Sequence, residues 1–273
     1  MEDNVGEDFF SQYMPFYSVW YKVLFLFVFQ FLIFVLAMVF FWWVSSLFLL
    51  GALLGEFIVI FCGILPYYCI VKNIEKIRIK YIEKYEKLAA QQLWYRYESY
   101  TIPLLSSSLY FPLLLINYDF IPKIITLPSS IITIELLPWF MAIPLGIFIV
   151  VIGILIGKPS GGFGPDVESY FYLLYPEKGK LITAGAYKYV RNPKYLGRFF
   201  FAIGLGIIAN NILAIGVALM HSLGFISLIM PEDKELLQRF GKEFQEYKKN
   251  VPALFPRFVS LKNFVKYIFI GEK

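Results

Sequence analysis

Residues 181–197 read Leu-Ile-Thr-Ala-Gly-Ala-Tyr-Lys-Tyr-Val-Arg-Asn-Pro-Lys-Tyr-Leu-Gly, and the uncharged run behind them decides the fold. Between Arg198 and Glu232 lie 33 residues without a charge, with Asn210-Asn211 as the natural turn. Each arm is then about 15 residues, or roughly 22 Å of helix at 1.5 Å per residue. The hydrocarbon core of a bilayer is about 30 Å thick, so the arms are short for full spans. The pattern predicts a short helical hairpin that returns the chain and brings Arg191–Gly197 next to Glu232-Asp233 at one membrane face. Charged groups at that depth are costly unless they are paired or hold a ligand, so they read as functional.

Working outward, the chain of 273 residues is 59% hydrophobic, 20% aromatic and 16% charged, too apolar for a soluble domain. From Val23 to Gly55 no residue in 33 is charged, enough to cross a bilayer and start back. The opening residues are acidic (Glu2, Asp3, Glu7, Asp8) and lack the basic region of a cleavable signal, so the first apolar segment is expected to remain as an anchor. Apolar segments at 19–44, 46–71, 101–118, 131–157, 198–211 and 212–230 predict an all-α polytopic membrane protein of about six transmembrane helices. Pro103 and Pro112 interrupt the third of them. The stretches 72–98, 158–198 and 231–273 hold 23 of the 25 Lys and Arg. With six crossings all three fall on the side of the N-terminus. The positive-inside rule makes that side cytoplasmic, together with the site and the C-terminus.

The expected organisation is an N-terminal transmembrane region over 1–130, a catalytic core over 131–257 and an amphipathic tail over 258–273, its helix cytoplasmic. Within the first part, Ile74, Ile77, Tyr81, Tyr85 and Leu88 recur at helical spacing and Glu83–Lys87 forms an i,i+4 pair, so 72–98 reads as one amphipathic connector helix. Cys62 and Cys69, seven apart on one helix face, read as small core residues, and no metal site is expected. The run Gly157–Pro165 lacks phosphate-loop spacing and reads as a flexible loop beside the site, able to act as a lid. His221, the single histidine, lies eleven residues before Glu232 and so shares its helix face. It either lines the way to the site or is a hydrogen-bonded packing residue.

Two blocks carry a resemblance. Leu181, Thr183, Gly185, Tyr187, Tyr189-Val190-Arg191, Pro193, Tyr195 and Gly197 form the first. Glu232, Leu236, Phe240-Gly241, Tyr247 and Val251-Pro252 form the second. Together they resemble the isoprenylcysteine carboxyl methyltransferase and phospholipid methyltransferase superfamily of integral-membrane enzymes, over about residues 140–257. The chain departs from the pattern at Asn192, where His is commonest, and at Asp233, where Glu is usual. The resemblance implies S-adenosylmethionine as methyl donor, bound on the cytoplasmic side, and a lipid or prenylated acceptor entering from the bilayer. No nucleic-acid partner is expected.

Under that implication Arg191 and backbone N–H groups around Asn192 to Leu196 meet the cofactor carboxylate, and Pro193 and Gly197 belong to the same cofactor-binding set. Glu232 and Asp233 meet its amino group or ribose, while Tyr187, Tyr189, Tyr195 and Phe240 form the adenine slot. Gly204 and Gly206 add a Gly-x-Gly element, which small-residue helix packing explains equally. Arg191, Asn192, Tyr195 and Glu232 are the expected catalytic group, working by positioning and exclusion of water. Asn192, and Asn250 in place of an arginine, lean the acceptor toward an amine or other lipid head group and away from a prenylcysteine carboxylate. Two other classes compete: a sterol-reductase-like enzyme using NADPH, and a non-enzymatic membrane scaffold.

Overall fold

The computed structural model describes residues 12–13, 15, 19–48, 50–125, 135–160 and 167–271. Among them every regular element is helical. Helices α1 (Trp20–Leu47) and α2 (Gly51–Lys72) form an up-and-down pair, and α3 (Ile74–Tyr85) continues outward. After them come α4 (Ala89–Leu114), α5 (Trp139–Gly157) and the short α6 (Val167–Leu174). The hairpin is α7 (Pro193–Ala209) and α8 (Ile212–Ser227), followed by α9 (Ile229–Phe240), α10 (Lys242–Asn250) and α11 (Phe258–Ile270).

Four stretches are long and apolar enough to cross a membrane: Trp20–Leu47, Gly51–Lys72, Trp139–Ser160 and Ile212–Phe240. The expected segments at 101–118 and 198–211 fall outside this set, which rests on length and composition alone. Helix α4 carries Gln91, Arg96 and Glu98 in its first half, and α7 has only 17 residues. Both are instead packed among the others, α4 against α1, α2, α7 and α8. Their apolar faces meet protein, so neither needs a lipid-facing surface all round. By contrast α1 buries just Leu26, Ala37, Phe41, Val44 and Ser45 and turns Phe25, Phe31, Leu36 and Trp43 outward. Pro103 and Pro112 do not interrupt α4, which runs through both; packing on four sides overrides the local penalty.

The expected 72–98 helix is two elements. Glu86, at φ 48°, breaks it, and the second half joins α4. Cys62 and Cys69 are exposed, not core residues. Of the run Gly157–Pro165, expected to be a flexible loop able to act as a lid, Gly157 ends α5 and Lys158–Ser160 form a 3-10 turn, and residues 161–165 lie outside the described residues.

Asparagine chemistry sets the hairpin turn as its sequence predicts. Asn210 takes the left-handed conformation (φ 61°) that ends α7, exchanging hydrogen bonds with the backbone of Leu137 at 2.8 and 3.0 Å. Asn211 caps α8, its Oδ1 accepting from Ala214 N at 2.8 Å. Glycine then sets how α7 lies on α5. A Cβ added at Gly204 would come within 2.7 Å of Gly146 O, and one at Gly153 within 2.6 Å of Gly197 O. These paired glycines, seven apart on each helix, let the two backbones touch. The seam holds the start of α7, where the first polar block ends, against the last turn of α5.

Candidate functional site

Pro193 starts α7 at the first helical position, where its missing N–H removes no bond. Just before it the backbone pairs with the segment after α10: Arg191 N donates to Pro252 O at 2.9 Å and Asn192 N to Ala253 O at 3.1 Å. The Asn192 side chain adds Nδ2 to Ala253 O at 2.9 Å. The two sequence blocks are thus tied together through main chain.

Above this tie lies the polar group. Arg191 makes a two-pronged bond to Asp233, Nη1 to Oδ1 at 2.9 Å and to Oδ2 at 3.0 Å. Lys248 Nζ reaches the same carboxylate at 2.9 Å. The Arg191 guanidinium sits 5.9 Å from the Phe244 ring centre. Glu232 accepts from the Tyr195 hydroxyl. The Arg191 partner is therefore Asp233, not Glu232, because one residue of helix turns the neighbouring side chain by about 100°. Tyr247 donates to Tyr187 O at 2.6 Å, and burial pushes its phenol pKa up, with Arg191 pulling the other way.

These residues line a cleft of about 270 Å³, near the lower end for small-molecule sites. Of the sequence-predicted set, Tyr187, Arg191, Asn192, Pro193, Tyr195, Glu232, Asp233 and Phe240 line it. Tyr189 does not; its ring packs on Phe264 and Tyr267 of α11 at 5.6 and 5.9 Å. Leu196 is core. Gly197 and Gly204 belong to the α5–α7 seam, and Gly206 approaches Ala214 and Ala218 of α8. These five thus lie outside the cleft lining, in contacts between helices.

Sequence reasoning missed Tyr67, Tyr172, Lys180, Arg239 and Phe244, all in the lining. Arg239 had a signal, being four residues after Glu235, with which it pairs at 3.2 Å. Tyr67 had none, since α2 reaches the cleft from far away in sequence. Two buried guanidinium nitrogens at this cleft, Arg191 Nε and Arg239 Nε, find no acceptor among the described residues. A carboxylate-bearing ligand with a flat apolar part fits such a lining, with Tyr172, Phe240 and Phe244 as apolar walls.

His221 is not part of this cleft. It is fully buried between helices, Nδ1 2.7 Å from Ser108 Oγ and 3.7 Å from Glu56 Oε1, while Ser108 also bonds Glu56. The packing reading of His221 holds. The path-lining one does not.

Residues 139–243 match the family described as phospholipid methyltransferase. The chain is 35% identical to a protein-S-isoprenylcysteine O-methyltransferase of Xenopus laevis over 28% of this chain and 27% of that one. It is 31% identical to one from Schizosaccharomyces pombe over 33% and 39% of the respective chains. A nickel-cobalt-cadmium resistance protein of Alcaligenes xylosoxydans xylosoxydans is 37% identical over 32% and 40%. The chain spans less than half the length of these three relatives. No solved structure matches it.

Proposed function

We propose that this chain, whose residues 139–243 match the phospholipid methyltransferase family, is a membrane methyltransferase that uses S-adenosylmethionine and methylates the carboxylate of a lipid-tethered, prenylcysteine-like acceptor. One observation carries the reading: the cleft, lined mostly from the matched region, joins buried, partly unpaired guanidinium groups, paired carboxylates and aromatic walls. The cofactor supplies an electrophilic methyl group on a cationic sulfur. Arg191 and Arg239 offer donors to its carboxylate, Glu232 an acceptor to its amino group, and Phe240, Phe244 and Tyr172 apolar faces to its adenine. Tyr195 fixes the Glu232 carboxylate in place. The protein then acts by holding two reactants in line and keeping water out.

The acceptor reading departs from the sequence expectation. Asn192 spends its side-chain amide on Ala253 O, and Asn250 is exposed and bonded to Glu246 O at 3.1 Å. Neither contact speaks for an amine head group, although Asn192 lines the cleft. Lys180 and Lys194 instead bring positive charge to the cleft, suited to an incoming carboxylate. The relatives named as isoprenylcysteine O-methyltransferases support the same choice, and the activity in their names favours methyl transfer over hydride transfer.

Glu232→Gln tests the site. Loss of a charge-assisted hydrogen bond is worth about 1.5–3 kcal/mol, so cofactor affinity by calorimetry should fall roughly ten- to hundredfold while the melting temperature holds. Unchanged affinity refutes the assignment. Purified protein given labelled cofactor should label a farnesylated cysteine in preference to phospholipid; labelled phospholipid alone would overturn the acceptor.

A further inference from the structure

Helix α11 presents two different apolar surfaces. Phe264 is buried, and Tyr267 and Ile268 beside it pack on Tyr189 and on the cluster that contains Ile156, in the last turn of α5. A second surface is exposed: Phe258 is 95% exposed, and Leu261, Val265 and Phe269 are exposed as well, while Val259 and Ile270, also exposed, lie farther round the helix. At 3.6 residues per turn, Leu261, Val265, Phe258 and Phe269 share one flank, roughly 60–140° from Phe264, and Lys262 and Lys266 crest it. Phe255, just before the helix, is also exposed.

Depth and charge decide what covers that flank. Because α11 sits on the last turn of α5, a candidate span, it lies where that span leaves the hydrocarbon. Apolar rings on one side and exposed lysines above them match the boundary between acyl chains and anionic head groups. We propose that α11 lies in the plane of the bilayer interface, with Phe258, Leu261, Val265 and Phe269 among the acyl chains and Lys262 and Lys266 on anionic lipid head groups. Through Tyr189, two residues from Arg191, the docked helix fixes the depth of the cleft relative to the membrane. This placement holds whatever chemistry the cleft performs.

The test uses the full chain with Cys62→Ser and Cys69→Ser, in nanodiscs of three parts phosphatidylcholine to one part phosphatidylglycerol. An environment-sensitive fluorophore is attached at Val265→Cys, and at Asn263→Cys on the opposite flank. The label at 265 should be quenched by nitroxide on the acyl chain and be several-fold less sensitive to aqueous iodide than the label at 263. Omitting phosphatidylglycerol should reduce the acyl-chain quenching at 265, and Lys262→Gln with Lys266→Gln should erase that lipid dependence. Iodide access at 265 equal to that at 263 would overturn the proposal, as would a label at 265 shielded from both quenchers, which means a protein partner. Quenching at 265 indifferent to lipid charge would overturn the head-group contact.

Discussion

Two polar clusters sit about the hairpin, and their surroundings differ. Glu56, Ser108 and His221 join α2, α4 and α8 with every side chain fully buried and belong to none of the clefts described. Arg191, Asp233, Tyr195 and Glu232 join the approach to α7 with α9 and face a cleft. A Phe225 ring separates them, 5.0 Å from His221, 5.7 Å from Tyr195 and 4.3 Å from the Arg198 guanidinium, centre to centre. Ionisable residues amid membrane helices are a functional signal by default, yet only one cluster is placed to meet a ligand. Access to a cleft, not the presence of charge, separates a strut between helices from a binding site.

Asp233→Ala attacks the open cluster hardest. It strands the Arg191 guanidinium, only 8% exposed, and removes the partner of Lys248. Breaking a buried pair from one side costs about 3–5 kcal/mol, so thermal stability and cofactor affinity should fall together. A variant that melts like the parent would mean that Arg191 has another acceptor.

His221→Leu probes the sealed cluster. Removing one partner of a buried network costs about 1–3 kcal/mol, so the melting temperature should drop while calorimetry on the folded protein gives the parent cofactor affinity. A parallel loss of affinity would show that Phe225 transmits between the clusters and that the distinction is too sharp.

The smallest effect belongs to Asn192→Ala. Its amide bonds a backbone carbonyl, so about 0.5–1.5 kcal/mol of stability should go. The ratio of rates on prenylcysteine and phospholipid acceptors should not move. A changed ratio would return Asn192 to acceptor recognition.

Sequence alone determined what depends on near neighbours. An uncharged run with Asn210-Asn211 in its middle gives a short hairpin because turn chemistry and helical rise are local. That hairpin brings the two polar blocks together whatever surrounds them. Those blocks also carry the resemblance to the family. Partners contributed by distant helices were decided only by packing. Whether Glu232 or Asp233 meets Arg191 depends on the rotation of α9, which its own sequence leaves open. Gly204 could serve a ligand or a helix until α5 placed Gly146 against it. Tyr67 entered the cleft, and Glu56 found His221, because α2 packs beside the hairpin. Four of the six expected segments have the length and apolarity to cross a membrane by themselves; burial against neighbours lets α4 and α7 fall short of that apolarity or length.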